Sequence, residues 1–337
     1  MQSCSWMSEP LQHKSVLATE SLELLRLEPG DVYVDATAGL GGHAVVAAER
    51  VGPNGTVVLN DLDASMLFRA EDRVRRAHPA VRIEAVHGSF AGLPAALAER
   101  GLRVDAFLAD LGFSSPQVDD PDRGFSFKHD GPLDMRLDPT SGVSAGEFLA
   151  TASESEIAEI LWTFGEERGS RRIARKVVER RMTKPITTTR ELAELVRSCT
   201  TGGGVDPATR TFQALRIAVN DELGALSALL EAISSQAGPT ENTDGSGPAS
   251  AGRPYEPGRR WLAQGARVAV ISFHSLEDRL VKRSFAALAD AGVARRLTRK
   301  PITPGEAEVA TNRRARSARL RAIELVPTGE GGKGVDA

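Results

Sequence analysis

Short apolar runs alternate with stretches of helical periodicity through the first third of the chain. The predicted strands lie at 31–36, 56–61, 81–87 and 104–110, and the predicted helices at about 42–51, 64–77 and 90–100. Strand–helix repetition at this spacing predicts right-handed crossovers and a doubly wound parallel sheet, so the fold class is α/β. Ligands of such sheets bind at the carboxyl ends of the strands.

The pattern changes at Phe113, where a turn-rich stretch leads into segments with helical periodicity alone. The sheet pattern then resumes with one long helix at about 208–234, a strand at 266–273 and a helix at 276–288. We therefore expect a discontinuous core domain made of residues 1–112 and 208–337. Residues 113–207 are expected to form an inserted, mostly helical domain.

Residues 236–260 are rich in Gly, Pro, Ser and Thr and contain almost no large apolar side chain. Such a composition predicts a flexible loop within the core. The whole chain is 41% hydrophobic and 26% charged with a net charge of −3, as in an ordinary globular protein. This charge gives no general attraction to nucleic acid, so any surface that binds it must be local.

The sequence predicts a cytoplasmic protein without a membrane segment. No run approaches the roughly 20 apolar residues of a membrane-spanning helix, and the first residues lack the apolar centre of a secretory signal. Cys4 and Cys199 are far apart in sequence and are expected to be reduced thiols. The six histidines show no metal-ligand spacing with cysteines or acids, so no metal site is predicted.

Three aspartates, Asp35, Asp61 and Asp110, each fall at the predicted carboxyl end of a core strand. These strand ends converge on one crevice in a doubly wound sheet. A single aspartate there is as readily a helix cap or a turn residue, but three together predict an acidic binding site. Asp61 follows the glycine-rich turn by about the interval expected of an acid that binds ribose hydroxyls.

That glycine-rich turn lies in the stretch VDATAGLGGHA at 34–44, between the first strand and the helix that follows it. Glycines allow the backbone to lie against a ligand. A pyrophosphate prefers amide N–H groups and positive potential, whereas this crevice gathers carboxylates that repel it. We therefore expect a cationic ligand with a ribose and no phosphate, namely S-adenosylmethionine. A nicotinamide-dependent oxidoreductase is the alternative, although the turn lacks its regular G-x-G-x-x-G spacing.

Five longer motifs carry a resemblance to one family. They are GLGGH at 39–43, DLGFSSPQVDDPDRGFSF at 110–127, DGPLDMRLDPT at 130–140, ATRTFQALRIAVNDEL at 208–223 and ISFHSLEDRLVK at 271–282. The chain resembles the bacterial ribosomal RNA small subunit methyltransferase H family. The resemblance implies a class I S-adenosylmethionine-dependent methyltransferase fold, Rossmann-like, with the insertion recognising the substrate. It also implies methylation of the exocyclic N4 of a decoding-centre cytidine in 16S rRNA, within a small ribosomal subunit or a late assembly intermediate.

The resemblance further implies the residues that bind the methyl donor. Carried over position by position, they are Gly41, Gly42, His43, Asp61, Phe90, Asp110 and Gln117. The glycine amides would face the methionine carboxylate, and Asp61 would accept hydrogen bonds from the ribose hydroxyls. Phe90 would pack on the adenine, while Asp110 and Gln117 would contact polar groups of the donor.

The stretch DLGFSSP at 110–116 stands where related amino-methyltransferases place the motif that receives the N4 hydrogens. Our hypothesis gives this role to backbone carbonyls or hydroxyls of Ser114 and Ser115, with Asp110 orienting the donor. Simple turn chemistry is the alternative for the two serines. His274, at the end of a predicted strand, is expected either to touch the target nucleotide or to bond near Asp278 in a structural role.

Two basic tracts are candidate contacts for RNA phosphates. One lies at 168–184 on a predicted helix, and the other covers 295–300 and 312–321. Phe125, Phe127 and Trp162 are candidates for stacking on an extruded base, with burial in a core as the alternative for each. A non-catalytic RNA-binding assembly factor is the second alternative function, and the sequence leaves open whether the chain forms a homodimer.

Overall fold

A computed structural model describes residues 15–199, 206–236 and 260–326. The helices are α1 (Ala18–Leu25), α2 (Gly42–Val51), α3 (Ala64–Ala77), α4 (Leu93–Glu99), α5 (Ser115–Asp119), α6 (Ala145–Thr151), α7 (Glu154–Gly165), α8 (Ser170–Arg181), α9 (Thr189–Cys199), α10 (Ala208–Val219), α11 (Glu222–Gln236), α12 (Ser275–Asp290) and α13 (Glu306–Thr311). The strands are β1 (Val32–Asp35), β2 (Thr56–Asp61), β3 (Arg82–His87), β4 (Val104–Asp110), β5 (Leu262–Ser272), β6 (Ala294–Arg296) and β7 (Arg319–Leu325). Most of the predicted flexible loop at 236–260 and Cys4 lie outside the described residues.

Seven strands form one sheet in the order β3-β2-β1-β4-β5-β7-β6. Strands β1 to β5 run parallel, and β7 runs antiparallel to both β5 and β6. The predicted α/β class and the five predicted strands are therefore confirmed. The sequence analysis missed β6 and β7, because arginines at alternate positions of β7 hide its apolar face. One of them, Arg321, is buried and donates from Nε to Asp278 Oδ1 at 2.7 Å.

The sheet is buried on both faces, as expected of parallel strands covered by helices. Tyr33 and Leu108 pack on one face with α1, α2 and α3. Val34 and Phe107, their neighbours in sequence, pack on the other face with α4, α11 and α12. This alternation follows from the two-residue period of a strand, and it leaves the carboxyl ends of the strands as the edge at which a site can form.

Helices α6 to α10 share a second hydrophobic core, which includes Leu149, Ile157, Ile173, Leu192 and Leu215. The insertion is thus mostly helical, with its own packed interior. Its end differs from the boundary expected at residue 207, because α10 packs in this helical core while α11 packs against the sheet. We call α6 to α10 the helical unit, because these helices pack on one another, and it ends at Val219.

The single helix expected at 208–234 is wrong, since the chain breaks between α10 and α11. Asp221 has a left-handed backbone with φ of 47°. The Asn220 side chain accepts from the Leu137 N–H at 2.7 Å and donates to the Met135 carbonyl at 2.8 Å. These bonds to a distant segment stabilise the turn, and hydrophobic periodicity carries no signal of them.

The structure also bears on the expected reduced thiol and on the expected lack of a membrane segment. Cys199 is a buried free thiol, as predicted. Within the described ranges, none of the helices is both long and apolar enough to cross a bilayer.

Candidate active site

A cavity opens at the carboxyl ends of β1, β2, β4 and β5. Among the predicted site residues, it is lined by Gly42, His43, Asp61, Phe90, Asp110, Ser114, Ser115 and Gln117. Phe90 reaches it because the helix expected at 90–100 begins only at Leu93, after Gly92, which leaves Phe90 in the turn that follows β3. The structure therefore brings together most of the donor-site residues implied by the resemblance.

The turn between β1 and α2 needs glycine at position 41 and leaves little room for a side chain at position 42. Gly41 precedes α2 with φ of 72°, and a Cβ there would lie 3.0 Å from the Ala70 Cα. A Cβ on Gly42 would lie 1.9 Å from the Ser15 Oγ. Because the first N–H groups of a helix have no intrahelical acceptor, the start of α2 can present N–H donors to an anionic group such as a carboxylate.

Asp35, His43 and Asp110 form a buried polar cluster beside this turn. His43 Nε2 lies 3.3 Å from Asp110 Oδ2, and the Asp110 N–H donates to the Thr37 hydroxyl at 2.7 Å. Three buried atoms have no hydrogen-bond partner among the described residues: Asp35 Oδ2, His43 Nδ1 and Asp110 Oδ1. Buried polar atoms are rarely left unpaired. His43 and Asp110 line the cavity, where a ligand can supply a partner, whereas Asp35 does not line it.

The same cluster has shifted acidities. Burial raises the pKa of Asp35 to about 7, against the lowering effect of His43 and with a further contribution from Asp110. Burial disfavours a charged His43, yet the hydrogen bond to Asp110 and the negative charges of Asp110 and Asp35 hold its pKa above the usual value. Perturbed groups gathered in one cleft are typical of functional sites.

Asp61 lies at the end of β2, half-buried in the cavity wall. It accepts from the Gly39 N–H and from the Asp63 N–H, each at 2.8 Å. Burial raises its pKa to about 6, and these two backbone bonds oppose the rise. The bond from Gly39 joins the carboxylate to the glycine turn, so the position of Asp61 is fixed relative to that turn.

Ser114 and Gln117 form a capping box at the start of α5. The Gln117 Oε1 accepts from the Ser114 N–H at 2.8 Å and from the Ser114 hydroxyl at 3.1 Å. The hydrogen bonds of a simple turn, which were the alternative role for the serines, are therefore present at Ser114. The Ser115 hydroxyl has no protein partner within the described residues and lines the cavity.

Asp63 and Arg123 were missed by the sequence analysis, although they support this turn. Asp63 Oδ2 accepts from Gln117 Nε2 at 3.0 Å and from Arg123 Nη1 at 2.7 Å. Its other oxygen caps α3, accepting from the Ser65 N–H at 3.0 Å. Burial would raise the pKa of Asp63, but bonds from Ser65, Gln117 and Arg123 lower it to about 2. The spacing of an N-cap residue was the only local signal, and it does not reveal the distant partners.

His274 caps α12 and is absent from the cavity wall. Its Nδ1 accepts from the Glu277 N–H at 3.4 Å, and its Nε2 lies 3.2 Å from Glu277 Oε1. The structural role expected as one alternative is thus observed, but with Glu277 as the partner. Asp278 instead binds Arg319 and Arg321.

Glu222, His274 and Glu277 place ligand atoms within 4.8 Å of one another, a spacing that a metal ion could use. Their carboxylates already have partners. Glu222 receives two bonds of 2.7 Å from the Arg216 guanidinium, and Glu277 Oε2 accepts from the Phe273 N–H at 2.8 Å. An arginine and a helix cap therefore account for this cluster.

The three candidate stacking side chains have different surroundings. Phe125 stacks on Phe113 with ring centroids 5.9 Å apart, and Phe127 packs edge-on against Phe212 at 4.8 Å. Both rings are half-buried against the helical core, which is the alternative expected for them. Trp162 is 61% exposed.

The arginines of the two basic tracts also differ in their surroundings. Arg319 and Arg321 bind Asp278, so part of the C-terminal tract serves the protein's own structure. Arg314 lies at the cavity and donates to Asp119 Oδ1 at 2.6 Å. The arginines at 171, 172 and 175 on α8 are exposed, as phosphate contacts require.

Comparison with known proteins finds relatives that match nearly the whole chain. Residues 10–238 and 255–326 match the model of the MraW methylase family. Ribosomal RNA small subunit methyltransferase H of Burkholderia vietnamiensis is 44% identical over 341 residues, which cover 95% of this chain and 99% of the relative. The protein of the same name from Neisseria meningitidis is 41% identical over 335 residues, 94% of each chain. Among solved structures, TrmN from Thermus thermophilus has a TM-score of 0.40 at 14% identity, covering 92% of this chain and 48% of that one.

These matches extend over nearly the whole chain, including the cavity residues and the helical unit. The matched family is one of methylases, which agrees with the predicted methyl transfer. The nicotinamide alternative is set aside, because the family is one of methylases. The chain belongs to the MraW methylase family.

Proposed function

We propose that this protein methylates the exocyclic N4 of a decoding-centre cytidine in 16S rRNA. Relatives matched over their whole length are named as methyltransferases of small-subunit ribosomal RNA. The proposed substrate is a small ribosomal subunit or a late assembly intermediate in the cytoplasm. The base and its position come from the family resemblance of the motifs at 110–127 and 271–282.

The observation that carries the donor assignment is the carboxylate of Asp110, which lines the cavity and has one oxygen without a hydrogen-bond partner among the described residues. Asp35 lies behind the cavity wall and acts on a ligand only through its charge. Carboxylates in this position favour a cationic group and repel a phosphate. The residues that would hold the donor are therefore the glycine turn, Asp61 through ribose hydroxyls, Phe90 beside the adenine, and Asp110. When bound, the donor supplies a methyl group on a positively charged sulfur.

The other part of the cavity suits the acceptor base. Cytosine N4 is a poor nucleophile because its lone pair is delocalised into the ring, and it must lose a proton as it gains the methyl group. Ser114 donates its hydroxyl hydrogen to Gln117, which leaves its oxygen lone pairs available as acceptors. Ser115 has a cavity-facing hydroxyl beside it. We assign these two serines to orient N4 by accepting hydrogen bonds from its hydrogens, with Asp110 orienting the donor. The proton that N4 loses on methylation then passes to water in the open cavity.

Methyl incorporation tests this function directly. Purified protein and labelled S-adenosylmethionine are incubated with small ribosomal subunits from cells that lack the modification, and rRNA digests are analysed by mass spectrometry. One N4-methylated cytidine in the decoding centre is expected. Binding of subunits without any methyl transfer would support the non-catalytic assembly factor instead.

Donor binding is expected to weaken as the pH falls from 7.5 to 5. Asp35 with a pKa of about 7 and Asp61 with a pKa of about 6 become protonated in this range. Protonation removes negative charge that favours the cationic donor, so each group that must be ionised lowers affinity by up to about tenfold per pH unit below its pKa. Titration calorimetry across this range measures the effect.

The Asp35→Asn variant serves as the control for the pH series. It is expected to bind the donor more weakly at pH 7.5 and to lack the inflection near pH 7, while it keeps the lower one. A wild-type affinity that does not change between pH 7.5 and 5 would contradict the assignment of these carboxylates to the donor.

A further inference from the structure

An open groove runs between the outward faces of α7 and α8, in the helical unit. Its floor is made of residues with small side chains, which are Ser155, Ala158, Gly169 and Ser170. Trp162 forms one wall, with 61% of its surface exposed. An indole exposed to this extent loses most of the burial that stabilises such a side chain, so its position in a groove needs a reason beyond folding.

The opposite wall is basic. Arg168, Arg171 and Arg172 line the groove and have no acidic partner among the described residues. The carboxylates of the groove are Glu154 and Glu159, and Glu154 lies 3.8 Å from Arg175 at the groove's edge. Positive charge therefore predominates beside the exposed ring.

The helical unit contacts α12 close in sequence to Trp162. Arg279 on α12 lies 3.8 Å from Glu166, the residue directly after α7. Glu277 in the first turn of α12 and Phe273 just before it line the donor cavity.

We propose that this groove binds a single-stranded segment of the substrate RNA, with a base stacked on Trp162 and phosphates held by Arg168, Arg171 and Arg172. The inference rests on the proposed function, because it takes the RNA substrate from there. A stacking platform beside unpaired guanidinium groups is the arrangement that single-stranded nucleic acids need. A flat aromatic ring gives an acidic peptide no comparable partner, so the observations favour RNA.

The test measures binding of full-length protein to small ribosomal subunits that lack the modification, by filter retention over a range of salt concentrations. Trp162→Ala is expected to weaken binding about 5- to 100-fold, the range found for loss of one stacking platform. Trp162→Phe is expected to stay within about threefold of wild type. The triple variant R168A/R171A/R172A is expected to lower the slope of log affinity against log salt by about 2, for three lost phosphate contacts.

A matched control removes three arginines elsewhere. The triple variant R75A/R76A/R82A changes the net charge equally, and these exposed arginines on α3 and β3 each pair with a neighbouring acid. It is expected to bind subunits with nearly the wild-type salt slope. Affinity for S-adenosylmethionine is expected to be unchanged in the groove variants, which a folding defect would not allow.

The proposal is overturned if Trp162→Ala and the groove triple variant bind like the control, or if an acidic peptide displaces subunits while a single-stranded oligoribonucleotide does not. Failure of the proposed function gives a different result. In that case the wild-type protein binds subunits without methylating them, and the binding measurements still decide whether the groove takes part.

Discussion

Replacing Asp110 with asparagine is expected to lower kcat/KM for methyl transfer by about 100-fold and to weaken donor binding at least tenfold. Asp110 Oδ1 is buried without a partner in the cavity, and Oδ2 is held by His43 at 3.3 Å. Loss of a hydrogen bond to a charged group costs about 1.5–3 kcal/mol, and the amide would also present N–H donors to a cationic ligand. Calorimetry with S-adenosylmethionine and single-turnover methylation of subunits measure the two effects.

Asp105→Asn is the matched control, because it makes the same change on the same strand. The Asp105 Oδ2 accepts from the Val32 N–H at 2.9 Å, away from the cavity, and an amide oxygen can keep that bond. This variant is expected to bind the donor and turn over like wild type. If Asp110→Asn kept full turnover and donor affinity, the assignment of Asp110 to the donor would be wrong.

Replacing Asp63 with alanine is expected to have the largest effect on stability, about 3–5 kcal/mol in the free energy of unfolding. The change leaves the half-buried Arg123 guanidinium and the buried Gln117 amide without their shared acceptor, and removes the cap of α3. Breaking a buried ion pair from one side typically has a cost of this size. Urea unfolding measures it, and donor affinity should fall as well, because Gln117 holds the Ser114 turn.

The pH dependence of stability tests the role of Asp63 independently. The pKa of Asp63 is lowered to about 2 in the folded protein, so its stabilising contribution is present above the unfolded pKa of about 4 and is lost as the pH falls toward 2. The difference in the free energy of unfolding between wild type and Asp63→Ala should therefore become smaller below pH 4. Asp72→Ala removes an exposed partner of Arg76 on the same helix and should cost less than about 1 kcal/mol; an equal effect of both changes would contradict the role given to Asp63.

The strand ends of the site could be predicted from the sequence for a simple reason. Asp110 directly follows the apolar run at 106–109, and Asp61 follows the run at 57–59 with only Asn60 between. Parallel topology brings such positions to one edge of the sheet whatever the details of packing. The glycine requirement at Gly41 also has a local cause, the left-handed backbone before α2. These features depend on chain neighbours and on strand order, both of which a sequence displays.

The features that were missed depend on contacts between distant segments. Asp63 meets Gln117 and Arg123 only after the turn folds back on α3, and Asn220 ends α10 by binding the backbone of Leu137. The role of His274 stayed undecided for the same reason, since a histidine before a helix can cap it or face a ligand. Strand β7 was hidden because its buried Arg321 looks like a surface residue until Asp278 is placed beside it.

The cavity wall combines Ser15, near the start of the described chain, with Asn312 and Arg314, near its end. The Leu17 N–H joins the same two parts of the chain by donating to Glu308 Oε1 at 2.9 Å. A chain that lacks either of these segments therefore lacks one side of the pocket, so the two distant parts of the sequence must be in place together before the pocket is closed on that side.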